Sequence, residues 1–317
     1  MSTPAVSVIV PIFNGGRYLD AALRSVLEQT FRDLELLCVD NGSTDDSAAI
    51  VQRLAASDAR ITLRHHATRG QCAARNAGAA HAAGRFLAFL DQDDLWYPHK
   101  LAQEVPVLET EPEVVMVHSN LDLVDQDGVL FRRASTTQYR RDGSHETMAR
   151  LLGMELCFIM PSSILLRRRA FEAIGGFDEG MIRLEDYDFF WRLSAHGRVR
   201  LLETSGAMYR VHPGNFTLSV GPKSFNGDEG YRSMERFYRK LEHAYADDPA
   251  KAPLVRELLS GCYAGWGKYK MQSGETLAGR ALLRDALRRH WTLKSAWRLV
   301  RSYLPAIRPL QQRSGTC

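Results

Sequence analysis

The sequence predicts an α/β protein: a mostly parallel sheet flanked by helices, followed by an all-helical extension. Three observations point there. Short apolar runs alternate with helical patterns through the first hundred residues. Several of those runs are apolar on both faces, as parallel strands between helix layers must be. Strand signals then vanish after about residue 226.

The runs "VSVIVPI" (6–12), "LELLCVD" (34–40), "ITLRHH" (61–66) and "FLAFLD" (86–91) read as strands. Between them, Leu19, Ala22, Leu23 and Val26 recur at helical spacing, as do Ile50, Val51 and Leu54. "GQCAARNAGAAHAAG" is an alanine-rich helix that Gly84 is expected to close. Pro98 opens a further helix to about Glu109, followed by the strand "VVMVHSN" and a turn at "DQDG" (125–128). The pattern then becomes mixed: "FIMPSSILLRR" reads as a strand, "RRAFEAIGGF" as a helix stopped by glycines, "LEDYDFFWRLSAHG" as a helix, and "RVRLLETSGAMYRVH" as one or two strands. The rest is helical, so we expect a first domain over 1–220 and a helical C-terminal region over 221–317.

The chain has 317 residues and 45% hydrophobic content, enough for a sizeable core. No apolar run approaches the ~18 residues of a membrane span, and the start "MSTPAVSVIVPIFN" lacks signal-peptide features, so the expected location is cytoplasmic. Five scattered cysteines without CxxC spacing indicate neither zinc nor a disulfide framework. The net charge of +4 is uneven: residues 280–313 hold nine Lys and Arg against one acid, so that segment carries +8 and the remainder −4.

In open parallel sheets, ligands bind beyond the carboxyl ends of the strands. Here those ends read "PIFN", "DNGSTDDS" and "DQDDLW". Asp40, at the end of the second strand, either belongs to a capped turn or accepts hydrogen bonds from a uracil-like base or a ribose. Neither GxGxxG nor GxxxxGK[ST] follows the first strand, so phosphates must be neutralised another way. Asp91, Asp93 and Asp94 repel one another unless a cation joins them. Asp93, with Asp91 or Asp94, suits Mg²⁺ or Mn²⁺ bridging a diphosphate. Arg75 could reach the same phosphates, His212 the metal or the diphosphate, and Trp96 a sugar or acceptor.

A second acidic pair, Glu185–Asp186, lies in "IRLEDYDFFWRL". Asp186 shares a helical face with Phe189, Phe190 and Leu193. At a helix N-terminus it should stay ionised at neutral pH and could accept a proton from an attacking hydroxyl. Glu185 and Trp96 are the acceptor-side candidates.

"VSVIVPIFN", "VDNGSTDDS", "GQCAARNAG", "FLDQDDLW", "GGFDE", "LEDYDFFWRL" and "YRVH", in this order, resemble the inverting family 2 glycosyltransferases of the GT-A fold, over roughly residues 5–213. The resemblance implies a nucleotide-diphospho-sugar donor, most often UDP-linked, in contact with Pro11, Phe13, Asn14, Asp40, Arg75, Asp91 and Asp93. It implies a divalent metal held through Asp93, with Asp91 or Asp94 assisting, Asp186 as catalytic base, and a glycan or lipid-linked acceptor; His212 is a further candidate metal ligand from the reading above. Two features depart from the pattern. Asn41 stands where many relatives have a second acid, which bears on nucleotide preference. QxxRW, the signature of processive synthases, is missing, so transfer of a single sugar is expected.

In "LKSAWRLVRSYL", Leu293, Trp297, Val300 and Leu304 form an apolar stripe with Lys294, Arg298 and Arg301 beside it. Such a helix (291–304) suits either an anionic membrane surface or packing against protein. No nucleic-acid motif is present. The rival readings are a nucleotidyltransferase that makes sugar nucleotides, for which "PIFNGGRYLD" is a poor phosphate loop, and a non-catalytic sugar-nucleotide-binding scaffold.

Overall fold

Four strands, β1 (Val6–Ile12), β2 (Leu34–Asp40), β3 (Ile61–His65) and β4 (Phe86–Phe89), form the parallel half of one sheet, in the order β3-β2-β1-β4. The computed structural model describes residues 3–133, 159–215 and 227–303, in two compact units, 1–220 and 221–317. From β1 the chain moves outward to β2 and β3, then returns to the other side of β1 for β4. The carboxyl ends of β1 and β4 therefore flank a topological switch point, where open sheets bind ligands.

Alternation along β1 decides what each face carries. Val6, Val8, Val10 and Ile12 share a core with Leu19, Ala22, Leu23 and Val26 of α1 (Leu19–Leu27) and with Ile50, Val51 and Leu54 of α2 (Ser47–Ala55). Burying each such aliphatic side chain contributes about 1.5–3 kcal/mol. Ile9 faces the other way, toward α3 (Gln71–Ala80). There a Cβ on Gly78 would lie 2.5 Å from Ile9 Cγ2, so glycine is what lets this helix approach the sheet.

The other half of the sheet is mixed. β8 (Ile164–Arg167) runs antiparallel to β4 and to β6 (Val114–Val124), and β9 (Arg198–Arg210) runs parallel to β6. β5 (Leu95–Trp96) pairs antiparallel with β9, and β7 (Leu130–Arg132) with β6. Helices α4 (Lys100–Thr110), α5 (Arg168–Ala173) and α6 (Glu185–Ser194) also belong to this unit. Phe177 stacks on Phe189 of α6 with centroids 4.0 Å apart and meets Phe89 of β4 edge-on at 5.4 Å, so aromatic packing fixes α6 beside β4.

Two sequence expectations change. The run around Pro161 is not one strand: residues 161–163 form a 3₁₀ turn before β8, because proline has no N–H for a sheet ladder. (Phe158 of that run lies outside the described residues.) Gly84 does not close α3, which ends at Ala80; it is instead where the chain crosses β1, and a Cβ there would lie 2.6 Å from Ser7 N. Of the one or two strands expected from "RVRLLETSGAMYRVH", the chain forms one, β9, whose register against β6 shifts opposite Ser119–Leu121.

In the second unit, α7 (Asp228–Ala244), α8 (Lys251–Gln272), α9 (Thr276–Arg289) and α10 (Leu293–Arg301) follow in series. Asp228 ties α7 to α8, accepting from Trp266 Nε1 at 2.8 Å and Lys270 Nζ at 2.5 Å.

Candidate active site

A cleft of about 580 Å³ opens at the switch point. Its lining includes Pro11 and Phe13 from the end of β1, Asn41 after β2, Arg75 on α3, Asp91 and Asp93 after β4, and Glu185 and Asp186 at the start of α6. Residues up to 175 positions apart in sequence thus meet at the carboxyl edge of one sheet.

Phe13 stands at the cleft, 44% exposed, and is clamped through its backbone: its N–H donates to Gln92 Oε1 at 2.8 Å and its carbonyl accepts from Gln92 Nε2 at 3.0 Å. The Arg69 guanidinium lies 5.3 Å from the Phe13 ring centroid. Asn14, in left-handed conformation at φ 51°, braces the next loop; its Oδ1 accepts from Thr44 N at 2.8 Å and its own N–H donates to Ser43 Oγ at 3.0 Å. Asp40 is likewise turned to local work, accepting from Ser43 N at 3.0 Å while its other oxygen meets His65 Nδ1 at 3.0 Å. Its neighbour Asn41 faces the cleft instead.

Arg75 is 1% exposed, and its Nη2 donates to Asp91 Oδ1 at 2.6 Å. Its Nε and Nη1 are buried without a hydrogen-bond partner. Asp93 accepts at Oδ2 from His212 Nε2 across 3.0 Å. Burial and the Asp91 charge raise the Asp93 pKa, against the pull of His212. His212 Nδ1 accepts from Gly214 N at 3.2 Å, so in the neutral ring the proton sits on Nε2 and is donated to Asp93. His212 Nε2 and the Asp93 carboxylate thus point at one another, the two groups that the sequence reading pairs at the diphosphate.

Two expectations fail on geometry. Asp94 was a candidate metal ligand, but it is 1% exposed and both oxygens are occupied: Oδ2 accepts from Ser162 Oγ at 2.6 Å and Oδ1 from Arg210 N at 3.0 Å. Burial, then the charges of Asp93 and Asp91, push its pKa well up. Trp96 was to stack on an acceptor, yet it is 2% exposed, belongs to β5 and donates from Nε1 to Ser162 O at 2.7 Å. It is core.

At α6, Leu184 adopts left-handed geometry, φ 58° and ψ 19°, and launches the helix with Glu185 and Asp186 at the cleft. Burial, reinforced by the Asp186 charge, lifts the Glu185 pKa to about 8, and burial lifts Asp186 to about 6 against the Tyr187 N–H that its Oδ1 accepts at 2.9 Å. The expectation that the helix terminus alone sets Asp186 is corrected, because desolvation outweighs it. Asp186 is nonetheless the ionised member of the pair near pH 7. Asp188 is fully buried and pairs with Arg192 at 2.7 Å.

Among the described residues, no group of three or more His, Cys, Asp or Glu is arranged to hold a metal ion by itself. Asp93 fits the other mode, in which one or two protein carboxylates share a hard cation with substrate phosphates. Sequence reasoning missed Gln92, Gln71, whose amide donates to Glu185, and Arg210, whose Nε donates to Asp93 O at 2.9 Å. Each acts through long-range hydrogen bonds that leave no local pattern.

Comparison with known proteins agrees with this architecture. The family described as glycosyl transferase family 2 matches residues 7–175. A glycosyltransferase of Nostoc sp. is 35% identical over 218 residues, covering 68% of this chain and 67% of its own length. The UDP-Glc:α-D-GlcNAc-diphosphoundecaprenol β-1,3-glucosyltransferase WfaP of Escherichia coli is 29% identical, covering 68% of this chain and 80% of its own. Against two longer relatives from Rickettsia, the chain spans only 36% and 35% of their length. The crystal structure of S. aureus TarS 1–349 with UDP-GlcNAc superposes with a TM-score of 0.63 at 17% identity, covering 92% of this chain and 91% of that one. The fold is therefore GT-A. With more than half its residues inside the family match, the chain belongs to glycosyltransferase family 2.

Proposed function

We propose that this protein transfers a single sugar, with inversion, from a nucleotide-diphospho-sugar to an acceptor hydroxyl, in the synthesis of a bacterial cell-surface polysaccharide, lipopolysaccharide or glycolipid. The observation that carries the reading is the meeting of Asp91 and Asp93 with Glu185 and Asp186 in a cleft of about 580 Å³, within the ~300–1,000 Å³ usual for small-molecule sites. The likeness to WfaP favours a UDP-linked donor and a lipid-linked acceptor.

In this reading Phe13, clamped by Gln92, contacts the base. Asn41 and the 66–70 loop border the nucleotide, and Arg75 offers its unpartnered Nε and Nη1 to phosphate oxygens. Asp93, together with the donor phosphates, would hold Mn²⁺ or Mg²⁺, which would supply positive charge to offset that developing on the departing nucleoside diphosphate. Asp186 Oδ1 is engaged by Tyr187 N–H, which leaves Oδ2 to take the acceptor proton as that oxygen attacks the anomeric carbon. Glu185, neutral at pH 7, keeps a second negative charge away from the base.

The purified protein, incubated with UDP-, GDP- and dTDP-sugars with and without Mn²⁺, should release nucleoside diphosphate from one of them. Release of pyrophosphate would instead indicate a nucleotidyltransferase, and binding without turnover a scaffold.

A further inference from the structure

Helix α10 is docked by its small, polar side. Ser295 is 4% exposed, Ser302 Oγ accepts from Arg280 Nε at 3.1 Å, and the Ser302 carbonyl accepts from Arg280 Nη2. Arg284 Nη2 donates to the hydroxyl of Tyr303. The opposite side carries Leu293, Trp297 and Val300 at i, i+4 and i+7, and they are 72%, 55% and 63% exposed. A helix in a bundle ordinarily turns such a stripe inward.

Trp291 and Tyr303 extend the patch at its two ends, 66% and 52% exposed. Ten large hydrophobic residues are exposed among those described, and five of them fall in this one stretch, so these are not the scattered apolar residues of an ordinary surface. Leu304, which would lengthen the stripe, lies outside the described residues.

Charge identifies the occupant. Between residues 286 and 303 there is no acid. Lys294, Arg298 and Arg301 project roughly 100° around the helix from the stripe, and Arg301 lies 5.2 Å over the Trp297 ring. Aliphatic residues and tryptophan on one face, a cationic flank beside them, and aromatic rings at both ends match a helix lying in a lipid interface. We propose that α10 lies on an anionic phospholipid bilayer, with Leu293, Trp297 and Val300 at the headgroup–acyl boundary and Lys294, Arg298 and Arg301 against the lipid phosphates.

The test uses the full chain, without donor or acceptor, so that its outcome is separate from that of the catalytic reading. Flotation with phosphatidylcholine vesicles, with and without phosphatidylglycerol, should show binding that needs the anionic lipid and weakens in salt. Tryptophan emission should shift to the blue on binding. The triple variant Lys294→Gln, Arg298→Gln, Arg301→Gln should bind about 100-fold more weakly, and Trp297→Glu should stay in solution. Both variants should keep the wild-type circular dichroism and nucleotide affinity. Absence from both vesicle types, or equal binding to both, overturns the proposal. So does a dimer seen by light scattering that Trp297→Glu dissociates while vesicles bind nothing, since the stripe would then cover a second copy.

Discussion

The guanidinium of Arg75 is bound to the carboxylate of Asp91 at 2.6 Å while two of its nitrogens, Nε and Nη1, are buried with no partner. A buried cation half-satisfied in this way is costly unless a second anion arrives. The donor's phosphates are the natural candidate. Arg75→Met should therefore weaken binding of a nucleoside diphosphate about 10- to 100-fold, measured by calorimetry, and should also destabilise the fold by about 3 kcal/mol because Asp91 loses its partner. Adding Asp91→Asn should recover stability but not affinity. If affinity returns with stability, Arg75 serves the fold alone.

Asn41 should resist conversion to the acid that many relatives carry. Its Nδ2 donates to the carbonyls of His66 at 3.0 Å and Thr68 at 2.6 Å, and its Oδ1 accepts from Gly70 N at 2.7 Å. Only an amide can do both. Asn41→Asp would set a carboxylate against two carbonyl oxygens, loosening the loop that carries Arg69 to Phe13. The expected cost is about 1–3 kcal/mol of stability and a higher KM for donor with kcat little changed. An unaltered KM and melting temperature would show that the loop is held by other means.

What the sequence disclosed, and what it concealed, divides along contact range. The four parallel strands and their helices were legible because burial on both faces writes itself as continuous apolar runs, and β1 and β2 begin and end where those runs do. Trp96 was misplaced because its environment is set by two-residue pairing with Met208 and Ala207, more than a hundred positions away. Asp94 was misjudged for the same reason: Ser162 and Arg210 consume its oxygens, and neither is near it in sequence. The acids announced a site, but which of them stayed open to it depended on partners supplied by the mixed half of the sheet and the turn before β8.

Asp186 should impose a pH limit on transfer. With its pKa raised to about 6 by burial, the base is protonated and idle in acid, so kcat/KM should rise about tenfold per pH unit below that point and level off above it. Asp186→Asn should lower turnover by roughly 10²–10⁴ and abolish the acid limb, with nucleotide binding retained. A variant that turns over at the wild-type rate removes Asp186 from the mechanism.

Glu185 carries a stability signature of opposite sign to that of a salt-bridged acid. Its folded pKa, about 8, lies above the ordinary 4.5 of a glutamate, so the folded state holds the proton more tightly than the unfolded chain does. The resulting stabilisation is complete below about pH 4.5 and is lost as pH rises through 8. Glu185→Gln keeps the amide-compatible contact with Gln71 and cannot ionise. It should therefore match wild type near pH 4 and become more stable by about 2–4 kcal/mol at pH 9, as read from urea unfolding across that range. Equal stability of the two proteins at both pH values would mean that water or a rearranged Arg75 solvates the carboxylate, and that Glu185 is ionised beside Asp186 at neutral pH.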